Sequence, residues 1–294
     1  MSQLRGVFTV SLAVTIVMTV VSLGMGLRAE QLLAVLRRTR LLAVAALLNL
    51  FVVPAFAWLV ASVLPLSPVH RVAVVLVAAG AGGAAGLKAV QLSRRGDAAL
   101  AVGLVVLLEL LNLVSVALWA GGLVECGTIR PADVLASLVA LVLLPLVLGL
   151  WLGFATPRLS ASLMPWAIRL GTLGLVVTLI AGTVSAEDLS SLLRSWVPVA
   201  ALLTCLAGLA VGYLTPKTDV PTRVTLSIVT GTRFSALGLL IVATALHNDP
   251  QYQSAAILAA LVNLVVASTI ALLLRRAPRS DTAARTTSAR LAEN

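Results

Sequence analysis

Gly80-Ala81-Gly82-Gly83-Ala84-Ala85-Gly86-Leu87-Lys88 lies in the middle of an apolar run from Val72 to Leu92. Four glycines within seven residues weaken a helix, each by about 1 kcal/mol relative to alanine. The lysine that follows them stands where lipid offers it no partner. In hydrocarbon, backbone groups freed by a broken helix must be met by protein or by a wet cavity. The stretch therefore predicts an interrupted transmembrane helix. A second stretch, Ile228-Val229-Thr230-Gly231-Thr232-Arg233-Phe234-Ser235, also sets a glycine, hydroxyls and a cation in the middle of an apolar run. Two glycine-interrupted spans at corresponding places in two halves predict an inverted-repeat transporter whose broken helices cross near the bilayer midplane.

The remainder of the chain agrees with a membrane setting. Of 294 residues, 60% are hydrophobic and only 11% charged, with a mean hydropathy of +1.08. A soluble domain is about a quarter charged, so lipid must cover most of this surface. The predicted spans are Val7–Leu27, Leu41–Leu64, Val72–Leu92, Ala98–Ala120, Ala132–Ala155, Pro165–Ser185, Val197–Leu214, Thr222–Leu246 and Gln253–Leu274. The first is too long for a signal-peptide core and reads as a retained span. Ala29 to Arg40 reads as an amphipathic interfacial helix with Leu32, Leu33 and Leu36 as its apolar stripe. The expected organisation is one transmembrane domain over 1–274, with a first repeat over about 7–120 and a second over about 132–274. A polar, disordered cytoplasmic tail is expected over 275–294.

Nine spans divide the basic residues unevenly. One side collects Arg28, Arg37, Arg38, Arg40, Arg94, Arg95, Arg158, Lys217, Arg223, Arg275, Arg276, Arg279, Arg285 and Arg290, against Arg5, Arg71, Arg130 and Arg194 on the other. The positive-inside rule makes the rich side cytoplasmic, with the N-terminus outside and the C-terminus inside, in the plasma (inner) membrane. The net charge of +10 is thus spread over short loops, which excludes a nucleic-acid-binding face. Cys126 and Cys205 have no metal-ligand spacing, and His70 and His247 fall in outer loops. With no paired carboxylates and no activated nucleophile, catalysis is not expected, nor is a cofactor.

Charged side chains at mid-membrane are costly and normally face a cavity or a partner. Lys88 and Arg233, each two residues after a glycine, are the expected fixed cations. Glu109 shares a face of the fourth span with Ala101 and Val105 and is the expected partner of one of them. A lysine beside Glu109 would make proton coupling an alternative. The guanidinium of Arg233 suits a carboxylate substrate. The candidate binding residues are Lys88, Arg233, Glu109, Gly82, Gly83, Gly86, Thr230, Gly231, Thr232, Ser235 and Asn112. Asn49 and Asn263 are expected to hydrogen-bond between helices.

Several of these blocks resemble the bile acid:sodium symporter family. Gly24-Met25-Gly26-Leu27 and Asn49-Leu50-Phe51-Val52-Val53-Pro54 look like its first conserved blocks. Gly82-Gly83, followed by Arg95-Gly96-Asp97-Ala98-Ala99-Leu100, is similar to its central signature, and Thr230-Gly231 sits where its second crossover would be. The resemblance implies nine spans, a panel and a core domain, two crossover helices and an organic-anion substrate. Sodium-coupled members place Ser-Asn where this chain has Gly86 and Leu87, and Ser and Thr where it has Ala101 and Val105. Their Glu-x-Gly-x-Gln-Asn reads Val229-Thr230-Gly231-Thr232-Arg233-Phe234 here. Nearly every side-chain oxygen for sodium is replaced. The expectation is a small-organic-anion carrier working by alternating access, with Lys88 and Arg233 standing where the sodium ions would sit. A sodium-coupled symporter, a channel and a membrane sensor are the alternatives.

Overall fold

The computed structural model describes residues 2–123, 131–185, 189–215, 218–246 and 249–276. Expectations for Cys126, Arg130, Lys217, His247, Arg279, Arg285, Arg290 and most of the tail lie outside the described residues. The described chain is helical throughout. Six helices or helix runs are long and apolar enough to cross a membrane, and shorter apolar helices accompany them.

Helix α1 (Ser2–Gly26) is followed by the short α2 (Ala29–Arg37). The interfacial helix ends at Arg37 instead of running on to Arg40. Its buried side is Val35, packed where a side chain on Gly103 would collide with it. Leu33 and Leu36 remain exposed, as an interfacial face requires. Next come α3 (Thr39–Leu47), a π-helical turn over Leu48–Val52 and α4 (Val53–Val63), stacked end to end as one span.

Proline explains the π-turn. Pro54 has no N–H, and the Val53 amide reaches back to Leu48. The carbonyls of Asn49 and Leu50 are left without their helical partners. That of Leu50 accepts hydrogen bonds from Ser115 Oγ at 3.2 Å and Trp119 Nε1 at 2.8 Å. The same construction recurs in α8 (Pro131–Leu138), a π-turn over Val139–Leu143 and α9 (Leu144–Ala155), where Pro145 plays the part of Pro54.

The third and eighth predicted spans are both broken. The first break separates α5 (Pro68–Ala79) from α6 (Ala84–Ser93), and the second separates α13 (Val220–Gly231) from α14 (Ser235–Thr244). The two are built to one pattern, a helix of 12 residues, a gap and a helix of 10. Gly82 and Gly83 take φ of 71° and 102°, a region that residues with a Cβ avoid. Long helices follow each pair: α7 (Ala98–Leu123) and α15 (Pro250–Arg276). Between them run α10 (Pro157–Ser185), α11 (Leu189–Arg194) and α12 (Val197–Tyr213). Pro165, expected to open the sixth span, instead lies inside α10.

Two packing groups emerge. Helix α1 lies along α9 and α10, while α12, α13, α15 and the broken helices pack on one another. Backbones approach closely in the first group: a Cβ on Gly24 would stand 2.7 Å from the Leu150 amide. Contacts between helix ends bring distant parts of the chain together. The amide of Asp97, which opens α7, donates to Thr225 Oγ1 near the start of α13, and Ser160 Oγ donates to the Met25 carbonyl at the end of α1. Arg28 and Arg94, with Arg158 and Arg223 in the first turns of α10 and α13, stand by these contacts at one basic end, where α2 also packs on α7.

Candidate functional site

The two breaks meet. Ala81 and Arg233 form an isolated antiparallel β-bridge, and the Phe234 amide donates to the Gly80 carbonyl at 3.0 Å. Each break is then clamped by an asparagine from the long helix that follows it. Asn112 accepts from the Ala81 amide at 3.0 Å and donates to its carbonyl at 2.9 Å. Asn263 accepts from the Arg233 amide at 3.2 Å and donates to its carbonyl at 2.8 Å. Broken helices leave backbone groups that hydrocarbon cannot satisfy, and the two amides satisfy them in the same way on both sides.

Arg233 is 4% exposed. Its Nη1 donates to Asn49 Oδ1 at 3.0 Å and its Nη2 to the Asn49 carbonyl at 3.1 Å, the carbonyl freed by the π-turn. Its Nε is buried with no partner. Asn49 in turn donates to Thr230 Oγ1 at 3.0 Å. The guanidinium is thus turned into the packed interior and held by two neutral oxygens.

A cavity of about 360 Å³ opens beside the crossing, walled by α1, α6, α10, the start of α14 and α15. Among the described residues its wall contains Lys88 and Arg233 and no carboxylate. Lys88 Nζ reaches Thr172 Oγ1 on α10 at 3.4 Å. With Arg233 tied to Asn49, Lys88 is the cation that faces this space. The polar residues Thr15, Thr19 and Ser22 of α1 join Thr172, Asn263 and Ser268 around it. Thr15, Thr19 and Ser22 form a one-sided polar stripe in an apolar span, and that spacing is a signal the sequence reading passed over.

Of the eleven expected binding residues, Lys88, Arg233 and Ser235 line the cavity. Gly82, Gly83, Gly86, Thr230, Gly231, Thr232, Glu109 and Asn112 do not. Gly83 lies under the Phe234 ring, and a side chain on Gly86 would strike Thr232. Thr232 Oγ1 donates to the Ile228 carbonyl of its own helix at 2.7 Å. Gly231 packs on Leu209 of α12. These residues build the crossing instead of the pocket.

The expected pairing of Glu109 with Lys88 or Arg233 is not formed. Glu109 is fully buried; its Oε2 receives Asn112 Nδ2 at 3.4 Å and its Oε1 has no partner. The physical reason is the depth of α6: Lys88 lies a turn beyond the break and reaches sideways to α10, while Glu109 sits on α7 beside Asn112. The geometry gives no Lys88–Glu109 unit to carry a proton. Arg169, assigned to no loop or site from the sequence, lies over the exposed Trp166 ring at 5.4 Å on the outside of α10.

Among the described residues no group of histidine, cysteine and acidic side chains could hold a metal ion. None of the curated proteins matches the chain. The family model described as the sodium bile acid symporter family matches residues 13–192, which spans the second half of α1, the first break, its Asn112 clamp and all of α10. Together with the crossed, clamped helices in an apolar chain, this match shows that the protein belongs to the sodium bile acid symporter family of membrane transporters.

Proposed function

We propose that the protein carries a small organic anion across the plasma (inner) membrane by alternating access, without sodium coupling. The cavity carries the reading. It lies at the crossing of two broken helices, it has Lys88 as the cation facing it, and it holds no acidic side chain among its described residues. A cavity of this size suits a small ligand, and an ammonium in a mostly apolar wall attracts a carboxylate or sulfonate.

The second fixed cation has a different part. Sodium wants oxygen ligands, and the two Asn49 oxygens at the crossing are already taken by the Arg233 guanidinium. Arg233 thereby acts as a tethered cation in place of a transported one. The nine-span topology is part of this reading, with α1, α9 and α10 as the panel and the broken helices with α4, α7, α12 and α15 as the core. So are two inverted repeats within residues 1–274, the second carrying one extra span. The matched construction of the breaks supports the repeats, and the basic end is taken as cytoplasmic. The cavity then opens inward, because from the crossing it follows α6 from Ala84 to Leu92 and the C-terminal halves of α1 and α15, with the middle of α10 as its far wall.

Purified protein melted with a panel of small carboxylates and sulfonates, in sodium and in choline, tests this. A ligand of the folded state raises the melting temperature by mass action. Stabilisation in choline, lost in Lys88→Met, is the expected result. Stabilisation that requires sodium would return the protein to sodium symport.

A further inference from the structure

The cavity has a counterpart that is closed. Counting from the clamping asparagines, α15 meets the cavity at Ala260, Asn263, Leu264, Ala267, Ser268 and Ala271. The matching positions on α7 are Glu109, Asn112, Leu113, Val116, Ala117 and Ala120, and every one is buried. Leu113, Val116, Ala117 and Ala120 belong to the apolar core that also takes in Phe8 and Leu12 of α1 and Leu138 of α8. A side chain on Gly182 would run into Ile257 and Phe8, so α1, α10 and α15 are also shut at that end. One face of the crossing is open and its twin is sealed, as one state of a two-state carrier requires.

The two faces differ in charge. The open one has Lys88 and, at the position of Glu109, Ala260. The sealed one has Glu109, with an unpartnered carboxylate oxygen, and the residue of α14 that matches Lys88 of α6 is the apolar Leu239. The ionisable side chains on elements packed against α7 (His70, Arg71, Lys88, Asp133 and Arg223) make no bond to Glu109, and those of α2 and α3 stand at the basic end. A buried polar atom without a partner is costly, and opening this face to water would relieve it.

Building on the reading of the cavity as the anion's route, we propose that Glu109 lines a second, anionic chamber that opens at the end opposite the basic one. The anion meets Lys88 on the basic side and Glu109 on the opposite side, and the anion's own gradient sets the direction of net flow. A wetted carboxyl is ionised at neutral pH and repels the anion.

Single cysteines at the matched positions test the proposal. Val116→Cys and Ala267→Cys are made in a Cys126→Ser, Cys205→Ser background, reconstituted in liposomes, and exposed from each side to impermeant anionic or cationic methanethiosulfonates. Ala267→Cys is expected to react from the basic end, about tenfold faster with the anionic reagent, since charged clefts change encounter rates by at least that factor. Val116→Cys is expected to react from the opposite end and to prefer the cationic reagent by a similar factor. Glu109→Gln removes that preference, and Glu109→Asp keeps it. Failure of Val116→Cys to react from the opposite end while Ala267→Cys reacts, or a preference unaffected by Glu109→Gln, overturns the proposal. Loss of the anionic preference at Ala267→Cys would instead remove the cavity reading beneath it.

Discussion

Arg233 and Lys88 look alike in the sequence, each a cation after a glycine, yet they face different surroundings. Arg233 is bound by Asn49, and truncating it leaves two buried oxygens unsatisfied, at about 1–3 kcal/mol each. Arg233→Gln frees those oxygens for a hard cation. We expect the melting temperature of this variant to rise in sodium over choline, while that of the wild type does not change. An equal response in both proteins would contradict the tethered-cation role. Hydrogen bonds to charged groups contribute about 1.5–3 kcal/mol, so Lys88→Met should weaken binding of the best stabilising anion by roughly 10- to 150-fold, read by titration calorimetry. The sequence marked both cations as buried in the membrane. It did not show that they part company, because the link from Arg233 to Asn49 joins positions 184 apart and depends on a carbonyl released by Pro54. A proline five residues after a polar residue in a span was the available signal.

The broken helices were the most legible elements. Glycine clusters in apolar runs carry their own physical consequence, a backbone that hydrocarbon cannot satisfy, so both breaks could be read directly. Their clamps were half legible, since Asn112 and Asn263 are visible as polar residues in spans but their targets are not. Helix ends were less so. Pro165 suggested a start for α10, whereas Pro157 provides it and the span continues through Pro165. Strain at the crossing gives a test at this scale. Gly83 has a φ of 102° and a Cβ there would lie 2.9 Å from that of Phe234. Gly83→Ala should cost about 1–3 kcal/mol and lower the melting temperature. Gly122→Ala, on α7 with no atom within 4 Å of the added Cβ, should not lower it. Equal effects would mean that the first break has another conformation.

At the scale of the molecule, charge and symmetry work together. Two segments of one construction cross at a β-bridge and are clamped alike, yet one side of the crossing faces an open cavity and the other a packed interior. Composition disclosed the membrane setting, and the basic loops disclosed a polarity. The state in which the molecule rests depends on which helix faces are packed, and hydropathy does not report that. Sealing at the Phe8 end is expected to rely on that ring, so Phe8→Ala should speed Val116→Cys labelling from the opposite end at least several-fold. No change in that rate would mean that Phe8 is not part of the seal. The most direct measurement of sodium-independent anion carriage is counterflow in proteoliposomes, using the anion that gives the largest thermal shift. Saturable, trans-stimulated flux of equal rate in sodium and in choline, lost in Lys88→Met, is the predicted result; flux that vanishes in choline, or that survives Lys88→Met unchanged, would contradict it.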